Sequence, residues 1–197
     1  MKEGIYVAGI PSWKMNQVYA SQKKDKWCWS ASISMVLDSH DLAVSQEVIA
    51  RDICGVDFFG NSRNCPASPF QISRSINVNG TDALGRNFRV IAPLRKNRPD
   101  IFALINELKN DRPVIVAYYN PDFKSSHAIV ITGCKFIVKN GVTYLTKLYV
   151  RDPWKTSETQ LTNGRRVIGK VDAFFNVIHS YWYIQVQKQQ NYLSYVA

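Results

Sequence analysis

The dipeptide Asn140–Gly141 constrains the fold of this 197-residue chain more than any other pair of residues. Asn-Gly is the strongest short signal for a two-residue type I′ hairpin turn, because both central residues need a positive φ. Here it separates two runs rich in β-branched and aromatic residues, 127–138 and 142–151. Such a turn sets Lys139 against Val142; carried along the strands, it sets Ile129 against Asp152 and His127 against Trp154. Side chains alternate along a strand, so His127, Ile129 and Asp152 share a face. His127 and Asp152 become diagonal neighbours, roughly 7–8 Å apart at the backbone and within reach of a side-chain hydrogen bond. A bulge or a longer loop would reverse this parity.

Strand character continues in 113–119 and 181–187, with turns at Asn120–Pro121 and Asn163–Gly164 and a short helix over 171–177 before the last strand. The first half reads differently. Ser45 caps a helix with Val48, Ile49 and Ile53 on one face, closed by Gly55. Ser68–Pro69 opens a second helix with Ile72 and Ile76 inward, ended by Asn79–Gly80, and 88–92 is a short strand. Asp100 caps a third helix over 101–109, whose Ile101, Leu104, Ile105 and Leu108 form an inward stripe. Helices followed by strands argue for an α+β fold in two lobes with a cleft between them. The expected layout is one domain, 1–197: an extended segment over 1–21, a mainly helical lobe over 22–110 and a mainly β lobe over 111–197. Val7, Ile10, Trp13 and Tyr19 are the expected anchors of the extended segment, which leaves no room for an inhibitory pro-segment ahead of Cys28.

Cys28 stands where a lysine-rich loop (Lys23, Lys24, Lys26) meets a helix over 29–38, with small residues Ser30, Ala31 and Ser32 in its first turn. Free N–H groups and the positive end of the helix dipole favour a thiolate at such a position, and the thiolate is the nucleophilic form of cysteine. A buried, inert cysteine beside core tryptophans is the other reading of the same stretch.

Gln22, Trp27-Cys28-Trp29-Ser30-Ala31-Ser32, Ser126-His127-Ala128-Ile129-Val130-Ile131-Thr132-Gly133 and Val150-Arg151-Asp152-Pro153-Trp154 together resemble the papain-like cysteine peptidases. The likeness is to the compact bacterial branch, which includes bacteriocin-leader peptidases and secreted effector peptidases. It implies a helical lobe and an antiparallel β-sheet lobe, with Cys28 as nucleophile, His127 as base, Asp152 as the group orienting the histidine and Gln22 as an oxyanion donor. Papain itself has asparagine where this chain has Asp152. The implied substrate is a peptide or protein. Trp27 and Trp154 are candidate walls of the substrate cleft, while His179 has no evident partner. Glutamine deamidation or transglutaminase-like acyl transfer uses the same trio, and an inactive binding domain is a further alternative.

The other cysteines do not have zinc-site spacing, and neither a metal nor another cofactor is expected. Cys54 and Cys65 bracket a loop containing Phe58 and Phe59, read as a plug beneath the loop or a cleft rim. A disulfide between these two cysteines would favour an oxidising compartment. Cys134 lies in an apolar strand and reads as inert. The formal charge of +10 comes from scattered basic residues without a nucleic-acid-reading motif, so acidic substrates, anionic envelopes or solubility explain it better than nucleic acid. No apolar run reaches the roughly 18 residues needed to span a bilayer, and no secretory signal is evident. A secreted or delivered protein, with control by delivery or by an activating or inhibitory partner, is the expectation.

Overall fold

The computed structural model describes residues 2–81, 85–120 and 124–188. In chain order the elements are β1 (Gly4–Gly9), α1 (Ser12–Gln17), α2 (Cys28–Asp38), α3 (Gln46–Cys54), α4 (Pro69–Ile76), β2 (Asn79–Thr81), β3 (Asn87–Ile91), β4 (Arg95–Lys96) and α5 (Ile101–Lys109). They continue with β5 (Val114–Asn120), β6 (Ser125–Lys139), β7 (Val142–Arg151), α6 (Ser157–Leu161), β8 (Arg165–Ile168), α7 (Val171–Val177), β9 (Ile178–Tyr183) and β10 (Gln185–Lys188). Pro121 of the expected Asn120–Pro121 turn lies outside the described residues.

The helix starts follow their local chemistry. Ser45 accepts from Val48 N–H and Asp100 from Ala103 N–H, while Ser68 and Gln71 form a reciprocal capping box. Each such cap is worth about 1 kcal/mol. The helix before Asn79–Gly80 stops earlier than expected, at Asn77, and those two residues pair in β2 instead.

β4, β9, β5, β6, β7 and β8 form the main antiparallel sheet in that order, and β1 also pairs with β6. β2, β3 and β10 form a second, smaller sheet. Both faces of the main sheet are covered at its centre. Val114, Val116, Ile129 and Ile131 pack with Leu104 and Leu108 of α5 and with Val171 and Phe175 of α7. Ile115, Ala117, Ala128 and Val130 pack with Ile33, Val36 and Leu37 of α2 and with residues of α3 and α4. Burial on both faces explains why β5 and β6 read as continuous apolar runs. The molecule is thus an α+β fold in which α2, with Cys28 at its start, lies against the sheet that carries His127.

The Asn140–Gly141 turn has positive φ at both residues, 52° and 76°. From it the strands pair Lys139 with Val142 and continue to Phe136 with Leu145. Thr146 of β7 then bulges out of the ladder, and farther along Thr132 of β6 does the same. One extra residue on each strand cancels the other. Beyond both bulges Val130 lies opposite Arg151, the register set by an uninterrupted two-residue hairpin.

The N-terminal segment corrects the expectation for 1–21. It is not extended throughout, because α1 follows β1, and β1 runs beside Gly133–Val138 of β6. Ala8 and Met15 are the buried anchors, whereas Val7 and Trp13 are exposed. Alternation along β1 turns Val7 outward, and α1 turns Met15 rather than Trp13 toward the body. The two backbones approach closely at Gly9 and Gly133: a Cβ on Gly9 would lie 2.5 Å from the Gly133 Cα. The halves also interleave, since β1 and β4 join the main sheet and β10 returns to pair with β3.

Candidate active site

Cys28 is the first residue of α2, and the cap position before it is Trp27, which offers no side-chain acceptor. The N–H groups opening this helix therefore lack the side-chain cap found on α3, α4 and α5. Ser32, one turn on, ties the helix to the sheet by donating to the Ala128 carbonyl at 3.3 Å. That bond brings the start of α2 alongside the beginning of β6, where His127 is found.

A cavity of about 700 Å³ opens between the helices and the sheet. Cys28, Trp29 and the 66–69 segment line one side; Ala117, Ser126, His127, Trp154 and His179 line the other. His127 is 5% exposed and Asp152 2% exposed. The His127 Nε2 and Asp152 Oδ1 atoms are 2.8 Å apart, and Cys28 lines the same cavity as this ring. Burial disfavours a charged imidazole, but the bond to Asp152 and the charges of Asp152 and Cys28 outweigh it, raising the His127 pKa to about 9. Burial also pushes the Asp152 carboxyl upward, yet the bonds from His127, from the Trp154 N–H (2.9 Å) and from Arg166 hold it below its ordinary value.

Arg166 pairs with Asp152 Oδ2 and is a site residue that looks in sequence like one of several scattered basic residues. It reaches Asp152 from β8, a strand that was not anticipated. The Asn163–Gly164 turn also has a local task. The Asp152 N–H donates to the Gly164 carbonyl at 2.8 Å, and a Cβ on Gly164 would lie 2.5 Å from the Asp152 carbonyl oxygen.

Gln22 is buried, and its backbone N–H donates to the Pro153 carbonyl, joining the loop before Cys28 to the Asp152 segment. Its Nε2 donates to the carbonyls of Lys24 (3.1 Å) and Asp25 (2.9 Å), and Oε1 has no partner. The side-chain amide thus braces the loop instead of pointing into the cavity. Trp27, expected in the cleft wall, is a core residue with its Nε1 bonded to the Arg63 carbonyl; Trp29 lines the cavity. Trp154 does line it, edge-on to the His127 ring at 6.2 Å. His179, left without a partner by the sequence, bonds Ser126 and Ser180 and forms part of the cavity wall.

Cys54 and Cys65 are joined in a disulfide, with Cα atoms 5.7 Å apart. Phe58 and Phe59 do not form the expected plug: they are 97% and 84% exposed. Cys134 is fully buried, and burial raises its pKa to about 11. Among the described residues, no three His, Cys, Asp or Glu side chains gather as metal ligands. Among the same residues, no helix is long and apolar enough to cross a membrane.

A cysteine at a helix start meeting a carboxylate-bound histidine across a cleft between helices and antiparallel sheet is the arrangement of a papain-like cysteine peptidase. The chain belongs to the Peptidase_C39-like family, whose sequence model matches residues 14–190. Among solved structures, UfSP from C. elegans is 16% identical at a TM-score of 0.53, with 96% of this chain and 36% of that chain covered. The peptidase domain of Streptococcus ComA, a bi-functional ABC transporter involved in a quorum sensing pathway, is 17% identical at a TM-score of 0.47. That match covers 86% of this chain and 97% of the domain. No curated protein sequence matches significantly.

Proposed function

We propose that this cysteine peptidase hydrolyses peptide bonds through Cys28, His127 and Asp152. The observation that carries the reading is the buried His127 ring, bonded to Asp152 through Nε2 and lining one cavity with Cys28. Asp152 fixes the tautomer and the ring plane; Arg166 and the Trp154 N–H fix Asp152. His127 takes the Cys28 proton, and the thiolate attacks the substrate carbonyl beside the imidazolium, which then protonates the leaving amine. Water hydrolyses the acyl-enzyme with His127 as base. The uncapped N–H groups at the start of α2 face the tetrahedral oxyanion, where one such donor is worth roughly 3–4 kcal/mol. Gln22 supplies a second donor only by giving up one of its bonds to Lys24 or Asp25. A secreted, effector-type role is supported by the Cys54–Cys65 disulfide, which persists in oxidising surroundings.

The test is the pH dependence of iodoacetamide alkylation at Cys28, located by peptide mapping, in the wild type and in His127→Ala. Rapid labelling at pH 6 that the substitution abolishes is the expected result. Labelling no faster than that of a free thiol would overturn the reading. Product analysis on peptides then separates cleavage from glutamine deamidation or acyl transfer.

A further inference from the structure

The loop after α3 holds the nucleophile's segment at four points. The Ser62 carbonyl accepts from Lys24 Nζ (2.5 Å), and the Arg63 carbonyl from Trp27 Nε1 (3.1 Å). Asn64 Oδ1 accepts from the Lys26 N–H (3.0 Å), and the Cys65 carbonyl from Trp29 Nε1 (3.3 Å). Cys28 lies between two tryptophans whose indoles are both tied to this loop. Directly beyond it, Pro66 and Ala67 line the cavity.

Burial does not hold the tip of this loop, because Phe58 and Phe59 project from it into solvent. Its order comes from polar contacts and one covalent tie. Asp57 Oδ1 accepts from the N–H groups of Phe59 and Asn61, and the Arg63 N–H donates to Gly55. The Cys54–Cys65 disulfide closes its base.

We propose that this disulfide is a redox-controlled positioning device for Cys28, so that the peptidase works with Cys54 and Cys65 oxidised and Cys28 reduced. The inference rests on Cys28 being the nucleophile. A dithiol reductant attacks one sulfur of the pair, breaking the S–S bond and forming a mixed disulfide; its second thiol then closes the reductant's own disulfide. Two electrons pass to the protein, and Cys54 and Cys65 each end with a proton. The freed loop regains conformational entropy, and its four holds on 24–29 loosen with it. Dithiothreitol, which keeps a cysteine nucleophile reduced, therefore lowers activity here.

The experiment uses the full chain, measuring kcat and KM on a peptide and the rate of Cys28 alkylation at pH 6. Both are followed before dithiothreitol reduction, after it and after reoxidation, with the state of the 54–65 pair read by mass spectrometry. Reduction is expected to lower kcat roughly tenfold or more with little change in KM, to slow alkylation in parallel, and to be reversed by reoxidation. The Cys54→Ser/Cys65→Ser protein should start low and ignore the reductant. Asn64→Ala, which keeps the disulfide, should lower kcat by a smaller factor. Fast alkylation that reduction leaves unchanged overturns the inference alone. Cooperative unfolding on reduction, seen by circular dichroism, also overturns it, since the tie then serves the whole fold. Slow alkylation of the oxidised protein overturns the peptidase reading and this inference together.

Discussion

Thr132 and Thr146 are reciprocal bulges on facing strands: the Thr146 hydroxyl donates to the Lys135 carbonyl of β6 at 3.1 Å, and the Thr132 hydroxyl to the Tyr149 carbonyl of β7 at 3.2 Å. Each closes its own interruption of the ladder, and together they leave His127 and Asp152 in register. Deleting either threonine alone should slip the far end of the hairpin by one residue, turn Asp152 to the other face and abolish activity. Deleting both should restore a measurable fraction of kcat/KM. A double deletion as inactive as the single ones, in protein shown to be folded, would count against cancellation.

The pH profile follows from His127. Its pKa of about 9 exceeds the ordinary 6.5, so the folded state favours the protonated ring. That contribution is complete below about pH 6.5 and is lost as the pH rises through about 9. The kcat/KM profile should accordingly fall on its alkaline side near pH 9. Asp152→Asn should move this limb toward neutrality and lower kcat on the order of 10²–10⁴-fold.

Arg166 should act through Asp152 rather than on substrate. Its guanidinium helps keep the Asp152 carboxyl below its ordinary value, a stabilisation present above the unfolded pKa and lost as pH falls through the lower folded one. In Arg166→Met the loss should begin at a higher pH, visible as an upward shift of the acid limb with KM little changed. Proximity to the Asp152 carboxylate makes a kcat reduction of roughly tenfold reasonable.

Gln22→Ala should cost stability as well as rate. The amide ties two loop carbonyls together, and losing a hydrogen bond of this kind costs about 0.5–1.5 kcal/mol. Denaturant melts and kcat together give the outcome: a fall in both is expected, whereas a fall in kcat alone would assign the side chain to the oxyanion only.

The sequence carries the hairpin and the caps because these are local. Asn140–Gly141 needs only its own φ angles, and Ser45, Ser68 and Asp100 need only the next turn of helix. The diagonal of His127 and Asp152 was readable for a less secure reason: parity survived because two bulges cancelled, and neither Thr132 nor Thr146 announces one. Arg166 could not be singled out, since its partner becomes adjacent only when β8 folds back on β7. The Asn163–Gly164 turn was the available hint of that return. Trp27 and Trp29 look equivalent in sequence, but only the latter borders the cavity. The apolar character of Phe58 and Phe59 does not entail burial, because a disulfide and an aspartate-capped turn hold their loop with both rings outside.

The pairing of β1 with β6 gives synthesis an order in time. Gly4–Gly9 leaves the ribosome more than a hundred residues before Gly133–Val138, the segment beside it. Pairings this distant in sequence form late, after the intervening segment has been made and its loop closed. Cys28 is therefore translated well before His127 and Asp152, and a nascent chain carries an unarmed thiol until the sheet can assemble.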